Sequence, residues 1–208
     1  MKIDQDILKH RAEFSRALRN HQYEISEGGI HFPKQGVMAA GVYVHDVNGE
    51  DQREDANIVT SEGLAHMLDV ALHDAAKTAT WYFRLFSANT TPLYSWTAAN
   101  FTANATEITS NTEGYSETTG QAFVEDDAVA AGASSTASAS ITNSANKAAF
   151  TIATATSVSV WGAGLLSSST KGGTTGTLMS ASKFAAVRDL YNTDVFNLSY
   201  TLSLTSEN

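Results

Sequence analysis

Phe196-Asn197-Leu198-Ser199-Tyr200-Thr201-Leu202-Ser203-Leu204 places a large apolar side chain at every second position and a small polar one between. Successive side chains of a strand point to opposite faces, so this stretch predicts an antiparallel strand with one buried and one wet face. Strands of a doubly wound parallel sheet are covered on both faces and read as continuous apolar runs, which this is not. Such a sheet is stable only when a second layer covers its apolar face, which points to a β-sandwich.

The residues before it fit the same architecture. Phe150 and Ile152 share one side of a short alternation over 148–153. Val158, Val160 and Trp161 lead into Gly162-Ala163-Gly164, where a second backbone or a bulky side chain can approach closely. Residues 78–87 carry Trp81, Tyr82, Phe83, Leu85 and Phe86 at both parities. This predicts a strand buried on most of both faces, between a sheet layer and the helix before it. Arg84 in its middle calls for an ion pair or a snorkelling side chain. Shorter strands fit 107–109, 115–118 and 121–125. From position 89 onward, 39 of 120 residues are Ser or Thr, the composition of a turn-rich antiparallel protein. Residues 125–140, acidic and then Ala/Ser/Gly with Val129 as the one large side chain, read as a surface loop.

One confident helix precedes these strands. Residues 61–77 offer Thr60 or Ser61 as a cap, Glu62 in the positive first turn and Lys77 near the negative end. Leu64, Met67, Leu68, Ala71, Leu72 and Ala75 form an apolar stripe expected to face the sheet. Opposite it, Glu62, His66, Asp69 and His73 fall within about 40° of one another at the helical period. Two histidines and two carboxylates in that pattern suit zinc or manganese. A polar stripe opposite an apolar one is equally what a surface helix needs, and the zinc-protease spacing is missing, so no metal site is assigned.

Residues 1–56 differ in character. The first 88 positions hold nine of the 13 basic residues, 13 of the 22 acidic ones and all six histidines. Ile3, Ile7, Phe14 and Leu18 line one side of a short helix, with Lys9, Arg11, Arg16 and Arg19 around the rest. Gly28-Gly29 and Pro33 end it, and 37–47 reads as a strand closing at the turn pair Asn48-Gly49. So sparse a set of large apolar residues cannot bury itself, which makes 1–56 an arm packed on the main domain or reaching a neighbour. The expected division is an arm over 1–56, with a short helix and a strand, and a β-sandwich body over 57–208 that includes the helix 61–77.

Composition excludes several functions. The 208 residues contain no cysteine, which removes disulfides, thiol nucleophiles and Cys-ligated zinc. A formal charge of −9 opposes non-specific attraction to nucleic acid or an anionic membrane. No run approaches the about 18–20 apolar residues of a membrane span, and Met1-Lys2 leads into charged sequence, so synthesis in the cytoplasm is expected. No histidine follows His73, and no Gly-x-Ser-x-Gly elbow or favoured carboxylate pair occurs, which speaks against hydrolase chemistry. Lys171-Gly172-Gly173-Thr174-Thr175-Gly176-Thr177 has its lysine ahead of the glycines, the wrong order for a phosphate loop, and reads as a wide hairpin turn between Leu166 and Leu178. Among the aromatics that could stack on a sugar, Trp96 is the best candidate for exposure, while Trp81 and Trp161 sit in strand-like apolar runs.

The succession of a helix, a Trp-Tyr-rich strand, Tyr115-Ser116-Glu117-Thr118, Ile141-Thr142-Asn143-Ser144 and the segment 167–177 ahead of an alternating terminal strand resembles virion structural proteins of tailed bacteriophages. In particular it is similar to the capsid cement, or decoration, proteins that sit on the head shell. The resemblance covers roughly 57–205 and carries no catalytic motif. It implies a mainly β, antiparallel jelly-roll-like sandwich, homo-oligomeric association, binding to the major capsid protein, residence in the virion after synthesis in the host cytoplasm and no enzymatic activity, to which the residues themselves add one amphipathic helix and an N-terminal arm; no cofactor is expected. It assigns no functional residue singly. The chemistry of the arm supplies candidates: Ile7, Phe14, Leu18, Ile30 and Phe32 as apolar anchors, and Arg11, Arg16 and Arg19 as charged partners for an acidic shell surface. A tail, neck or fibre component and a carbohydrate-binding module are the rival readings.

Overall fold

The computed structural model describes residues 24–26, 29–31, 36–132 and 136–207. In chain order the elements are β1 (Glu24–Ser26), β2 (Gly29–His31), β3 (Gly36–Val47), β4 (Glu50–Ala56), β5 (Ile58–Val59), α1 (Ser61–Leu72), β6 (Trp81–Phe86), α2 (Ala98–Ala105), β7 (Gly114–Tyr115), β8 (Gln121–Phe123), β9 (Val129–Gly132), β10 (Thr136–Thr142), β11 (Ala148–Ala153), β12 (Val158–Leu166), β13 (Leu178–Leu190) and β14 (Val195–Glu207). The chain divides into two units. The smaller comprises Met1–Met38, Ala130–Ser138 and Leu204–Asn208, and its described residues include the antiparallel pair β1–β2. The larger comprises Ala39–Val129 and Ala139–Ser203.

The larger unit is an antiparallel β-sandwich. One sheet runs β4-β3-β14-β10, with β11 on β14 and β7 on β11; the other runs β5-β13-β12-β6-β8. The terminal strand behaves as its alternation dictates: Phe196, Leu198 and Tyr200 are buried, while Asn197 donates to Asp46 Oδ1 at 2.7 Å on the other face. The two sheets meet through aromatic rings. Tyr43 of β3 lies 6.1 Å from Phe83 of β6, and Tyr200 of β14 lies 6.3 Å from Phe123 of β8. Fully burying each such ring contributes roughly 1.5–3 kcal/mol.

A second apolar cluster covers the outer face of the β6–β12 sheet. Phe86, Leu166, Leu178 and Ala181 meet Trp96, Ala98, Phe101 and Ala105. The small residues of β12 permit this. A Cβ at Gly164 would stand 2.6 Å from the Phe101 ring, and one at Gly162 would stand 2.2 Å from that of Phe86. Strand β6 is therefore buried on both faces as expected, but its outer cover is α2, which follows it, and not the preceding helix. Helix α2 was not foreseen in the Thr/Ala/Asn-rich stretch. It begins where the Thr97 backbone N–H donates to Asn100 Oδ1 at 2.9 Å, and ends at Thr106 with φ 50°.

Three further expectations change. Helix α1 stops at Leu72 instead of residue 77, because Asp74 takes a left-handed φ of 57° that ends the helical path. Strands β3 and β4, assigned above to the arm, pair into the first sheet, where Val42 faces Ala56 and Val44 faces Glu54. The turn between them is the expected Asn48-Gly49, with φ of 55° and 82°. Part of the supposed loop 125–140 is the strand pair β9–β10. Its Ala and Ser side chains are too small to announce a strand by burial, and the ladder is carried by backbone groups.

Candidate interaction surface

Of the arm residues proposed as anchors, Ile7, Arg11, Phe14, Arg16, Leu18, Arg19 and Phe32 lie outside the described residues. Ile30 falls in β2, where its backbone pairs with Ile25.

The surface that the structure does describe is built by α1. Thr60 caps the helix by accepting from Gly63 N at 3.0 Å. Gly63 then brings the helix against β13 so closely that an added Cβ would lie 2.3 Å from Met179 O. That contact sets the rotation of the helix. Gly63 and Met67 turn inward, and Leu64, Leu68 and Leu72, expected to face the sheet, are instead 41%, 60% and 82% exposed. At the other end of the sheet connection, Tyr94 O accepts from Ser61 N at 2.9 Å, placing the exposed Leu93 and Tyr94 beside the start of the same helix. Leu64, Leu68, Leu72, Leu93 and Tyr94 thus stand exposed along and beside one helix.

The same rotation dissolves the polar stripe. Glu62 Oε2 accepts from Ala98 N at 2.9 Å and Leu178 N at 2.6 Å, so its carboxylate joins the positive end of α2 to the start of β13. His66 Nε2 is hydrogen-bonded to Thr78 Oγ1 at 3.1 Å, and its ring meets the edge of Trp81. Asp69 and His73 remain exposed, so the four groups do not converge on one point. Trp96, expected at the surface, is 3% exposed between Phe86 and Phe101; the exposed aromatic of that segment is Tyr94. A shallow groove of about 260 Å³, lined in part by Asn57, Pro92, Lys183 and Phe184, falls below the usual roughly 300 Å³ of ligand pockets.

Three polar clusters brace the sandwich. Arg84 is fully buried and ion-paired, as one of its two expected states requires: Nε donates to Glu107 Oε1 at 2.7 Å and Nη2 donates to Glu107 Oε2, to Thr102 Oγ1 and to Gly173 O. Gly172 N–H completes the carboxylate at 3.0 Å, so strand β6, the end of α2 and the 167–177 connection share one pair. That connection is the expected hairpin turn, with Leu166 opposite Leu178. In the second cluster, Arg188 Nε donates to His45 Nδ1 at 3.1 Å, which assigns the ring proton to Nε2, facing Asp55 Oδ2 at 2.9 Å. Arg188 also donates to Asp51, tying β13 to β3 and β4. Burial holds the His45 pKa below the ordinary imidazole value, against the bond to Asp55.

In the third, the Lys171 ammonium donates to Asn111 Oδ1 at 2.7 Å, to the carbonyls of Tyr115 and Glu117 at 3.0 Å each, and to that of Ser110 at 3.3 Å. It stands 3.6 Å above the centre of the Tyr115 ring. Burial brings its pKa down to about 8, with Glu117 and Glu107 pulling the other way, so it carries its charge at neutral pH. Neither Glu107 as the partner of Arg84 nor the Ser110–Asn111 turn is named by the sequence reading, and the α1 leucines enter it only as a stripe expected to be buried. The Asn100 three residues after Thr97 was the one available signal for α2. Comparison with family models, with curated proteins and with solved structures finds no match to this chain.

Proposed function

We propose that the chain is a non-enzymatic structural protein of a tailed-bacteriophage virion, bound to the outside of the capsid, where it cements neighbouring copies of the major capsid protein. The resemblance over 57–205 motivates the reading. The observation that carries it is the exposed stripe Leu64, Leu68 and Leu72 on a helix packed on β13 through Gly63 and tied to α2 and β13 by Glu62. A cement protein has to present adhesive groups on a body that does not yield, and apolar side chains on a braced helix do that. The sequence of the arm supports the reading from a second side, with apolar residues and arginines of the kinds that anchor one protein on another.

Locating the chain in purified particles by electron microscopy tests the proposal. Density for the sandwich on the head surface, in contact with major capsid subunits, is the expected result. Placement on the tail, neck or a fibre overturns the cementing role, and glycan-dependent quenching of tryptophan fluorescence would favour a carbohydrate-binding module in its place.

A further inference from the structure

The contacts of Lys171 exceed what a lysine needs. An ammonium group has three protons, yet four oxygens stand within 3.3 Å and an aromatic face lies below. At least one proton is therefore shared between two acceptors, and the ammonium sits in a cage of oxygens closed on one side by the ring. Three of the oxygens are backbone carbonyls, the groups that hold monovalent cations by replacing their hydration shell. The Tyr115 ring adds the quadrupole attraction that favours ammonium ions. The nearby carboxylates are directed to other partners, Glu117 accepting from Thr151 N and Glu107 paired with Arg84. The receptor itself is therefore built of neutral oxygens, which suits a singly charged ion over calcium or magnesium.

We propose that the turn over residues 110–117 is a receptor for a primary ammonium ion, that the chain fills it with its own Lys171, and that this occupancy latches the glycine-rich connection over the Arg84–Glu107 pair. The two residues after the lysine are the ones that complete the pair, Gly172 through its N–H and Gly173 through its carbonyl. Gly172 reaches that position with a φ of 72°, a conformation that strains a residue with a Cβ. Filling the receptor fixes the residue immediately before this left-handed step. Emptying it frees the connection and opens the buried pair to water. The inference does not depend on the virion role.

Lys171→Ala in the full chain tests it, with hydrogen exchange at Gly172 and Gly173 as the readout at neutral pH. The variant is expected to lose protection at these amides. Ammonium or n-propylammonium chloride should restore it saturably, whereas tetramethylammonium chloride at equal ionic strength should not, because it has no N–H and is too large for the cage. Unchanged protection in the variant, failure of every primary ammonium ion, or equal restoration by tetramethylammonium overturns the proposal. The wild-type chain gives an independent reading should the variant not fold. The Lys171 ε-methylene protons should resonate upfield of the position of a solvated lysine through the Tyr115 ring current. Their appearance at the position of a solvated lysine refutes the receptor.

Discussion

His45 has no place for a second ring proton. Its Nδ1 already accepts from Arg188, its Nε2 faces Asp55, and the ring stacks on Phe184 at 4.0 Å. Protonation would set an imidazolium against a guanidinium inside the sandwich, with only Asp55 opposing, while Asp51 and Arg53 are already engaged with each other and Asp51 with Arg188. The folded pKa lies below the ordinary value of about 6.5. Below that ordinary value, and down to the folded one, the unfolded chain binds a proton that the folded chain does not. Stability is therefore unaffected by His45 above about pH 6.5 and falls as the solution is acidified beneath it. Denaturant titrations from pH 7.5 to 5 should show this slope, and it should diminish in His45→Gln; an identical pH dependence in the two proteins would contradict the assignment. Gly63 makes a prediction of opposite sign to helix propensity. Alanine at an exposed helical glycine gains about 0.5–1 kcal/mol, yet here the new methyl group meets the Met179 backbone, which cannot swing aside as a side chain could. Gly63→Ala should destabilise by about 1–3 kcal/mol, measured by chemical denaturation.

The buried pair between β6 and the glycine-rich connection behaves as a unit. Replacing Arg84 by methionine leaves Glu107 desolvated without its counter-charge and should cost about 3–5 kcal/mol. The double replacement Arg84→Met with Glu107→Leu should recover most of that loss, since it removes both buried charges together; a double variant as unstable as the single one would show that the hydrogen bonds to Thr102, Gly172 and Gly173 matter more than the charges. These clusters also mark where sequence reading stops. Alternation in Phe196–Tyr200 declares its own buried face, because period two admits only one register with the core. Small residues at Gly162 and Gly164 declare that something large lies over them. Arg84 in an apolar strand demands a partner, but nothing in its neighbourhood names Glu107, 23 positions away. The α1 stripe misleads for a different reason. Two arcs of the helix satisfy the 3.6-residue period, one of large leucines and one through Gly63 and Met67, and the choice between them rests on the fit of Gly63 to the Met179 backbone, a tertiary contact that hydrophobic pattern does not weigh. For α2 the reason is composition. Thr, Ala and Asn give a weak helical signal, and Phe101 alone is large enough to hold the helix on the sheet.

Across the chain as a whole, the apolar clusters draw on residues from Tyr43 to Tyr200, and the groups assigned to adhesion fall on two separate sets of residues, the arm and the outer side of α1. That separation makes folding and attachment independently testable. Leu64→Glu with Leu68→Glu changes exposed positions only, so its effect on stability should stay within about 0.5 kcal/mol per site. Deleting residues 1–35 removes none of the core residues named above, and a cooperative thermal transition of the shortened chain checks that the sandwich folds without them. Attachment is expected to respond differently to each. If the arm is the anchor, its deletion abolishes sedimentation with the particle. If α1 is a second contact on the same chain as the anchor, its substitution converts a bivalent attachment into a monovalent one, which lowers occupancy at limiting concentration and speeds release without preventing binding at saturation. Sedimentation of purified particles with each variant, over a range of added protein, separates these outcomes. Unaltered attachment after deletion of residues 1–35 refutes the arm as the anchor, and unaltered release after the double glutamate substitution refutes the leucine stripe as a contact.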